Sequence, residues 1–127
     1  MATYFKMYDY ASEGVREADP LCRVGGPSIS GCSPLWMDQF LNHTKNGTNY
    51  ATGQKGSKVD FLTYHHYAND PPFGSLPSGV SIPQSQNAYH KAMCDFAKKY
   101  SFAGEIHNTE WAPSYAIQPE HSADESA

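Results

Sequence analysis

The sequence predicts an α/β fold in which about three parallel strands are each reached through a helix. Apolar residues recur at helical spacing in three separate stretches, and short runs rich in β-branched and aromatic residues lie between them. Parallel strands need a crossover connection, usually a helix, so this alternation implies a parallel sheet. Three strands in this order form a slice of a barrel or of an open sheet. In both architectures the ligand site lies at the carboxyl ends of the strands.

The first element is an amphipathic helix, since Tyr4, Phe5, Tyr8, Ala11, Ser12, Val15 and Ala18 recur at three- and four-residue steps. Asp19-Pro20 ends it, because proline disfavours helical geometry in the residue before it. Leu21-Cys22-Arg23-Val24 then reads as a short strand. Gly25-Gly26-Pro27 follows as a loop where the backbone can turn sharply and approach a neighbour or ligand closely.

Ser33-Pro34 opens the second helix, with Ser33 as N-cap and Pro34 at the first helical position, where the missing N–H costs nothing. Leu35, Trp36, Phe40 and Leu41 supply its buried face. Residues 46–58 are rich in Gly, Asn, Thr and Lys and read as loop. Val59-Asp60-Phe61-Leu62-Thr63-Tyr64-His65-His66-Tyr67 is the clearest strand, closed by Asp70-Pro71-Pro72.

Residues 68–85 hold Pro71, Pro72, Pro77 and Pro83 with Gly74 and Gly79, which predicts a long irregular loop of the kind that often carries function. A third helix is expected over about 86–100, burying Ala88, Tyr89, Ala92, Met93, Phe96 and Ala97. The last strand is Gly104-Glu105-Ile106-His107-Asn108-Thr109-Glu110-Trp111. Residues 118–127 are polar, small and acidic and are expected to be disordered, which leaves 1–117 as the folded domain.

Composition narrows the function. The 127 residues suit one small domain with a modest core, at 39% hydrophobic content and a mean hydropathy of -0.61. A net charge of -4 without a Lys/Arg cluster argues against nucleic acid and against an anionic membrane as partner. No run approaches the roughly 18 apolar residues of a membrane span, and Met1-Ala2-Thr3-Tyr4 does not start a secretion signal. The compartment stays open.

Cys22, Cys32 and Cys94 cannot all pair within one chain, and their spacing matches no zinc knuckle or redox pair. Buried thiols are expected, with one Cys22–Cys32 bridge as the alternative. Asn42-His43-Thr44 and Asn46-Gly47-Thr48 satisfy the glycosylation pattern, which matters only in a secreted eukaryotic setting.

Three predicted strand ends carry polar groups toward one rim: Gly25-Gly26-Pro27, His65-His66-Tyr67 and Glu110-Trp111. A strand-end glutamate in an aromatic setting is where a sugar-cleaving enzyme keeps a nucleophile or general acid. His65 and Tyr67 share the parity of Phe61 and Thr63, so both can point toward Glu110, whereas His66 has the opposite parity and faces a helix. A hydrogen bond from either would hold the carboxylate ionised and oriented. Trp111 either stacks on a sugar ring or fills the mouth of the site. Gly25 and Gly26 serve backbone geometry first and substrate contact second. A metal centre is not expected, because adjacent histidines on a strand point opposite ways and no third ligand has suitable spacing. No cofactor is implied.

Read together, Tyr8-Asp9-Tyr10 through Arg23-Val24-Gly25-Gly26-Pro27, Val59-Asp60-Phe61 through His65-His66-Tyr67, and Thr109-Glu110-Trp111 resemble glycoside hydrolase family 39, the β-xylosidase and α-L-iduronidase family. The order and spacing agree over roughly residues 4 to 115. The resemblance implies a (β/α)₈ TIM barrel of which this chain is a part, with 4–18 as the helix after strand four, 21–27 as strand five, 59–67 as strand six and 105–111 as strand seven. A whole barrel takes about 250 residues.

On that template Glu110 takes the nucleophile's place. The family's acid/base glutamate sits in an Asn-Glu-Pro context at the end of strand four, and no such motif occurs in this chain. The resemblance therefore implies a retaining β-xylosidase-like hydrolase acting on carbohydrate, with His65, Tyr67, Trp111, Gly25 and Gly26 about the substrate. The alternative is a non-catalytic, carbohydrate-binding or inactive piece that self-associates through exposed sheet edges into a homo-oligomer.

Overall fold

The computed structural model describes residues 1–30, 33–67 and 82–112. The elements run α1 (Ala2–Ala18), β1 (Gly25–Pro27), α2 (Pro34–Asn46), β2 (Phe61–His65), α3 (Ile82–Lys99) and β3 (Glu105–Glu110). The strands form one parallel sheet in the order β1-β2-β3, with Gly25 paired to Phe61 and Phe61 to Glu105. Helices α2 and α3 are the crossovers that a parallel sheet requires.

Helix–sheet packing follows from period two along β2. Leu62, Tyr64 and, just beyond the strand, His66 are buried on one side. They join Tyr8, Met37, Phe40, Leu41, Tyr89, Met93 and Ala97 in a core between sheet and helices. Phe61, Thr63 and His65 take the opposite side. Ser33 caps α2 by accepting from the Trp36 N–H, with Pro34 in the first helical position as expected. Asp19 stands in extended geometry at the end of α1 and donates its N–H to Val15 O at 2.9 Å.

Boundaries differ from expectation at the first strand and the third helix, and β2 spans Phe61–His65 within the expected 59–67. The first strand is Gly25–Pro27 and not Leu21–Val24, so the glycines belong to the ladder and not to a loop. Asp19 is the reason: its carbonyl accepts from Cys22 N and its carboxylate from Leu21 N, which keeps that stretch in a turn with Leu21 89% exposed. Helix α3 starts at Ile82 and not near Gln86, since Pro83 in its first turn sacrifices no helical hydrogen bond. Residues 82–85 of the expected loop are therefore helical, and 68–81 lie outside the described residues, as does the acidic tail at 118–127.

Cys22 and Cys94 are free and half-buried rather than buried, while Cys32 lies outside the described residues. The Cys22 thiol donates to Asp19, and that hydrogen bond, with the carboxylate's charge, raises its pKa.

Asp9 ties α1 to the rest of the fold. It is fully buried, and its carboxylate accepts from His43 Nε2 at 3.0 Å, Tyr50 N at 2.8 Å and Ser57 Oγ at 2.5 Å. A buried carboxylate is tolerable only with such a set of donors. The His43 ring stacks on Phe5, centroids 4.6 Å apart, so α1, α2 and the 49–57 stretch close on one another there.

Candidate active site

The carboxyl ends of β2 and β3 bring three polar side chains together. Glu110 closes β3, and its Oε2 lies 3.3 Å from His65 Nδ1. Tyr67, two residues beyond His65, donates its phenolic hydroxyl to Glu110 Oε1. Each carboxylate oxygen thus has a different neighbour at the β2 end, Tyr67 by a hydrogen bond and His65 at ion-pair distance. The Glu110 side chain remains 52% exposed, while His65 is 18% exposed, so the carboxylate is oriented yet open to a ligand.

Period two alone would not put Glu110 there. Ile106 packs against the helix-side core, and Asn108 and Glu110 share its parity. The ladder pairs Tyr64 with Asn108 and then His65 with Glu110, so Thr109 is an extra residue and the register shifts by one. This β-bulge re-aims Glu110 to the His65 side. The His66 N–H still reaches Glu110 O at 3.0 Å, which keeps the strand end attached beyond the bulge.

His66 faces the helices, as its parity predicts. It is fully buried, stacks on Tyr89 with centroids 3.8 Å apart, and its Nε2 is 3.1 Å from Ser85 Oγ. It anchors the end of β2 to α3. Trp111 stands beside Glu110 in sequence and is 65% exposed, on the rim.

The glycines lie elsewhere. Gly25 pairs with Phe61, four residues below His65, which is roughly 13 Å along a strand. A Cβ on Gly25 would run into the ring and carbonyl of Phe61, and one on Gly26 would meet Tyr4, Phe40 and Tyr8 in the helix layer. Close packing requires the glycine at 25 and leaves only limited room at 26, and neither is brought to Glu110. Above them, Ser28 has a positive φ of 49° and is held by Thr63, whose Oγ1 accepts from Ser28 N at 2.8 Å.

A second polar group sits at the opposite end of the same face. Arg23 pairs with Glu105 at 2.8 Å, and His107 Nε2 lies 3.2 Å from the same oxygen. Phe61 fills the space beside them, with Arg23 5.7 Å above its ring and His107 edge-on at 5.6 Å. The Arg23 guanidinium first, and His107 second, hold the Glu105 carboxyl below the usual glutamate range. Among the described residues no group of His, Cys, Asp or Glu is placed to hold a metal ion, and no helix is long and apolar enough to cross a membrane.

The sequence singles out Glu110, His65 and Tyr67, and the structure brings these three together; it does not single out Asn108 and Thr109, which shape the end of the same ladder. The available signal was polarity: an asparagine at a helix-facing position of a strand needs a hydrogen-bond partner.

A sequence profile of the family described as "Glycosyl hydrolases family 39" matches residues 1–127. Human α-L-iduronidase is 37% identical over 70 residues, covering 51% of this chain and 10% of that protein. The β-xylosidase of Geobacillus stearothermophilus is 33% identical over 69 residues, covering 54% of this chain and 12% of that protein. A solved structure titled as the bacterial orthologue of human α-L-iduronidase superposes with a TM-score of 0.73 at 23% identity. It covers 91% of this chain and 19% of that one. The chain thus spans only about a tenth of the length of the curated relatives it matches.

Proposed function

The chain belongs to glycosyl hydrolases family 39, as a partial α/β barrel with parallel strands, and from that membership we propose that it carries the nucleophile of a retaining, β-xylosidase-like glycosidase. Glu110 is that nucleophile. The observation that supports this is the setting of its carboxylate, with Tyr67 hydrogen-bonded to one oxygen and His65 at ion-pair distance from the other, at the end of a parallel strand.

The chemistry follows from the carboxylate. One oxygen of Glu110 attacks the anomeric carbon as the bond to the leaving oxygen breaks, giving a glycosyl ester, and water later cleaves that ester. His65 and Tyr67 keep the carboxylate in one orientation, and Trp111 offers a ring face to the sugar. Protonation of the departing oxygen needs a second carboxyl group about 5–5.5 Å from the first. No Asn-Glu-Pro segment lies within these residues to provide it.

A neutral sugar suits this rim better than a uronic acid. All nine Lys and Arg residues lie in helices or in stretches that lead into strands. None falls in 28–33, 66–81 or 111–127, the stretches that follow the strands' carboxyl ends. A uronate carboxylate calls for a cation beside it, and among the described residues that follow the strand ends none is Lys or Arg.

The test is incubation with 2,4-dinitrophenyl 2-deoxy-2-fluoro-β-xyloside followed by peptide mass spectrometry. A single 2-deoxy-2-fluoroxylosyl ester on Glu110 is expected, formed with release of dinitrophenolate and hardly at all with an alkyl leaving group. An unlabelled Glu110 in the folded chain would sink the reading. The second reading, a non-catalytic piece that self-associates, draws on β1 and β3 being the edge strands of the sheet among the described residues. A monodisperse monomer by light scattering counts against it.

A further inference from the structure

Resting on Glu110 as nucleophile, we propose that Asn108 is a positioning residue: its amide clamps the Thr109 bulge and so decides which face of β3 presents Glu110. In an uninterrupted ladder Thr109 would stand opposite His65, and Glu110 would turn to the helix side with Ile106 and Asn108. The bulge reverses this, and an irregular ladder persists only if other contacts hold it.

Asn108 supplies those contacts. One end of its side-chain amide lies 2.9 Å from Glu110 O and 3.1 Å from Tyr64 O. Both neighbours are carbonyl oxygens that only accept, so the end turned to them is the nitrogen, which donates one N–H to each. The two carbonyls flank the extra residue on opposite strands. The other end of the amide, its oxygen in this orientation, is 3.3 Å from the Gln86 side-chain amide, which bonds to it by turning its own nitrogen inward. Thr109 Oγ1 adds a longer contact of 3.5 Å to Tyr64 O. Asn108 thus touches neither the substrate face nor the carboxylate, and acts through the backbone that aims it.

Three variants test the clamp. Asn108→Asp keeps the shape but has no N–H to donate. Deletion of Thr109 removes the extra residue, so that Glu110 meets His65 through a regular ladder and needs no clamp. Combining the two asks whether the bulge is what Asn108 serves. Each chain is labelled with the same fluoroxyloside, separating the rate constant at saturation from the half-saturating concentration, and the exchange rate of the His66 amide is measured alongside.

Asn108→Asp is expected to slow labelling at saturation about tenfold or more while half-saturation moves less than about twofold. His66 exchange should quicken about tenfold. Deleting Thr109 in that background should restore both, which a role in general stability would not produce. Parent-like labelling in folded Asn108→Asp, or failure of the deletion to rescue it, overturns the proposal. If Asn108→Asp does not fold, the Thr109 deletion alone decides: labelling at the parent rate supports the clamp, and its loss in a folded chain refutes it. If the parent takes no label, the nucleophile reading falls by itself, and unchanged His66 exchange in Asn108→Asp then removes the clamp as well.

Discussion

His65 of β2 stands opposite Glu110 of β3, with 3.3 Å between Nδ1 and Oε2, across a bulge that makes Thr109 the odd residue. The same carboxylate takes the Tyr67 hydroxyl on its other oxygen. A carboxylate with a hydrogen-bond donor on one oxygen and an imidazole beside the other is biased toward one orientation before a substrate arrives, which is the entropy that positioning saves.

Replacing Tyr67 with Phe removes one of the two holds without changing the ring. The rate of Glu110 labelling should fall about tenfold, while the half-saturating concentration changes little. An unchanged rate in a folded variant would show that the hydroxyl does not orient the nucleophile.

Asp9→Ala leaves the Tyr50 N–H, the Ser57 hydroxyl and His43 without their shared acceptor. The unfolding free energy should drop by about 3 kcal/mol, read from urea denaturation at constant slope. A loss under about 1 kcal/mol would mean that water replaces the carboxylate there.

The two glycines should differ. Gly25→Ala forces a methyl into the ring and backbone carbonyl of Phe61, which cannot retreat without breaking the ladder, and should cost about 2 kcal/mol or more. At Gly26 the nearest atom is the Tyr4 hydroxyl at 3.2 Å, the end of a flexible side chain, so Gly26→Ala should cost less than about 1 kcal/mol. Thermal unfolding of both variants checks the order, and the reverse order would contradict the packing.

Glu105 gives a pH dependence of known sign. Arg23 and His107 depress its pKa in the folded chain, so the unfolded chain binds a proton first as acid is added. The stabilisation is therefore present above the ordinary glutamate range, about pH 4, and is lost as pH falls through the depressed folded value. Glu105→Gln should flatten that part of the stability curve slightly, since the pair is exposed and screened by solvent. Urea midpoints at pH 6 and pH 3 that shift equally in parent and variant would exclude the effect.

Much of this was legible in the residues. Helical spacing from Tyr4 to Ala18, the Ser33-Pro34 start and the aromatic-rich run through Phe61 to His65 are local patterns, and each forms the element it predicts. The parity that sends His65 one way and His66 the other is local too. Gly25 and Gly26 misled because glycine suits both a loop and a crowded strand, and only Phe61 and the helix layer show which applies.

The sequence by itself determined three parallel helix–strand units, a glutamate at a strand end, and a histidine and tyrosine spaced to reach it. Tertiary structure alone decided that Glu110 faces them. Strand parity is counted within one segment, whereas a bulge exists only relative to the neighbouring strand, and its hold comes from an asparagine bonded across to Tyr64.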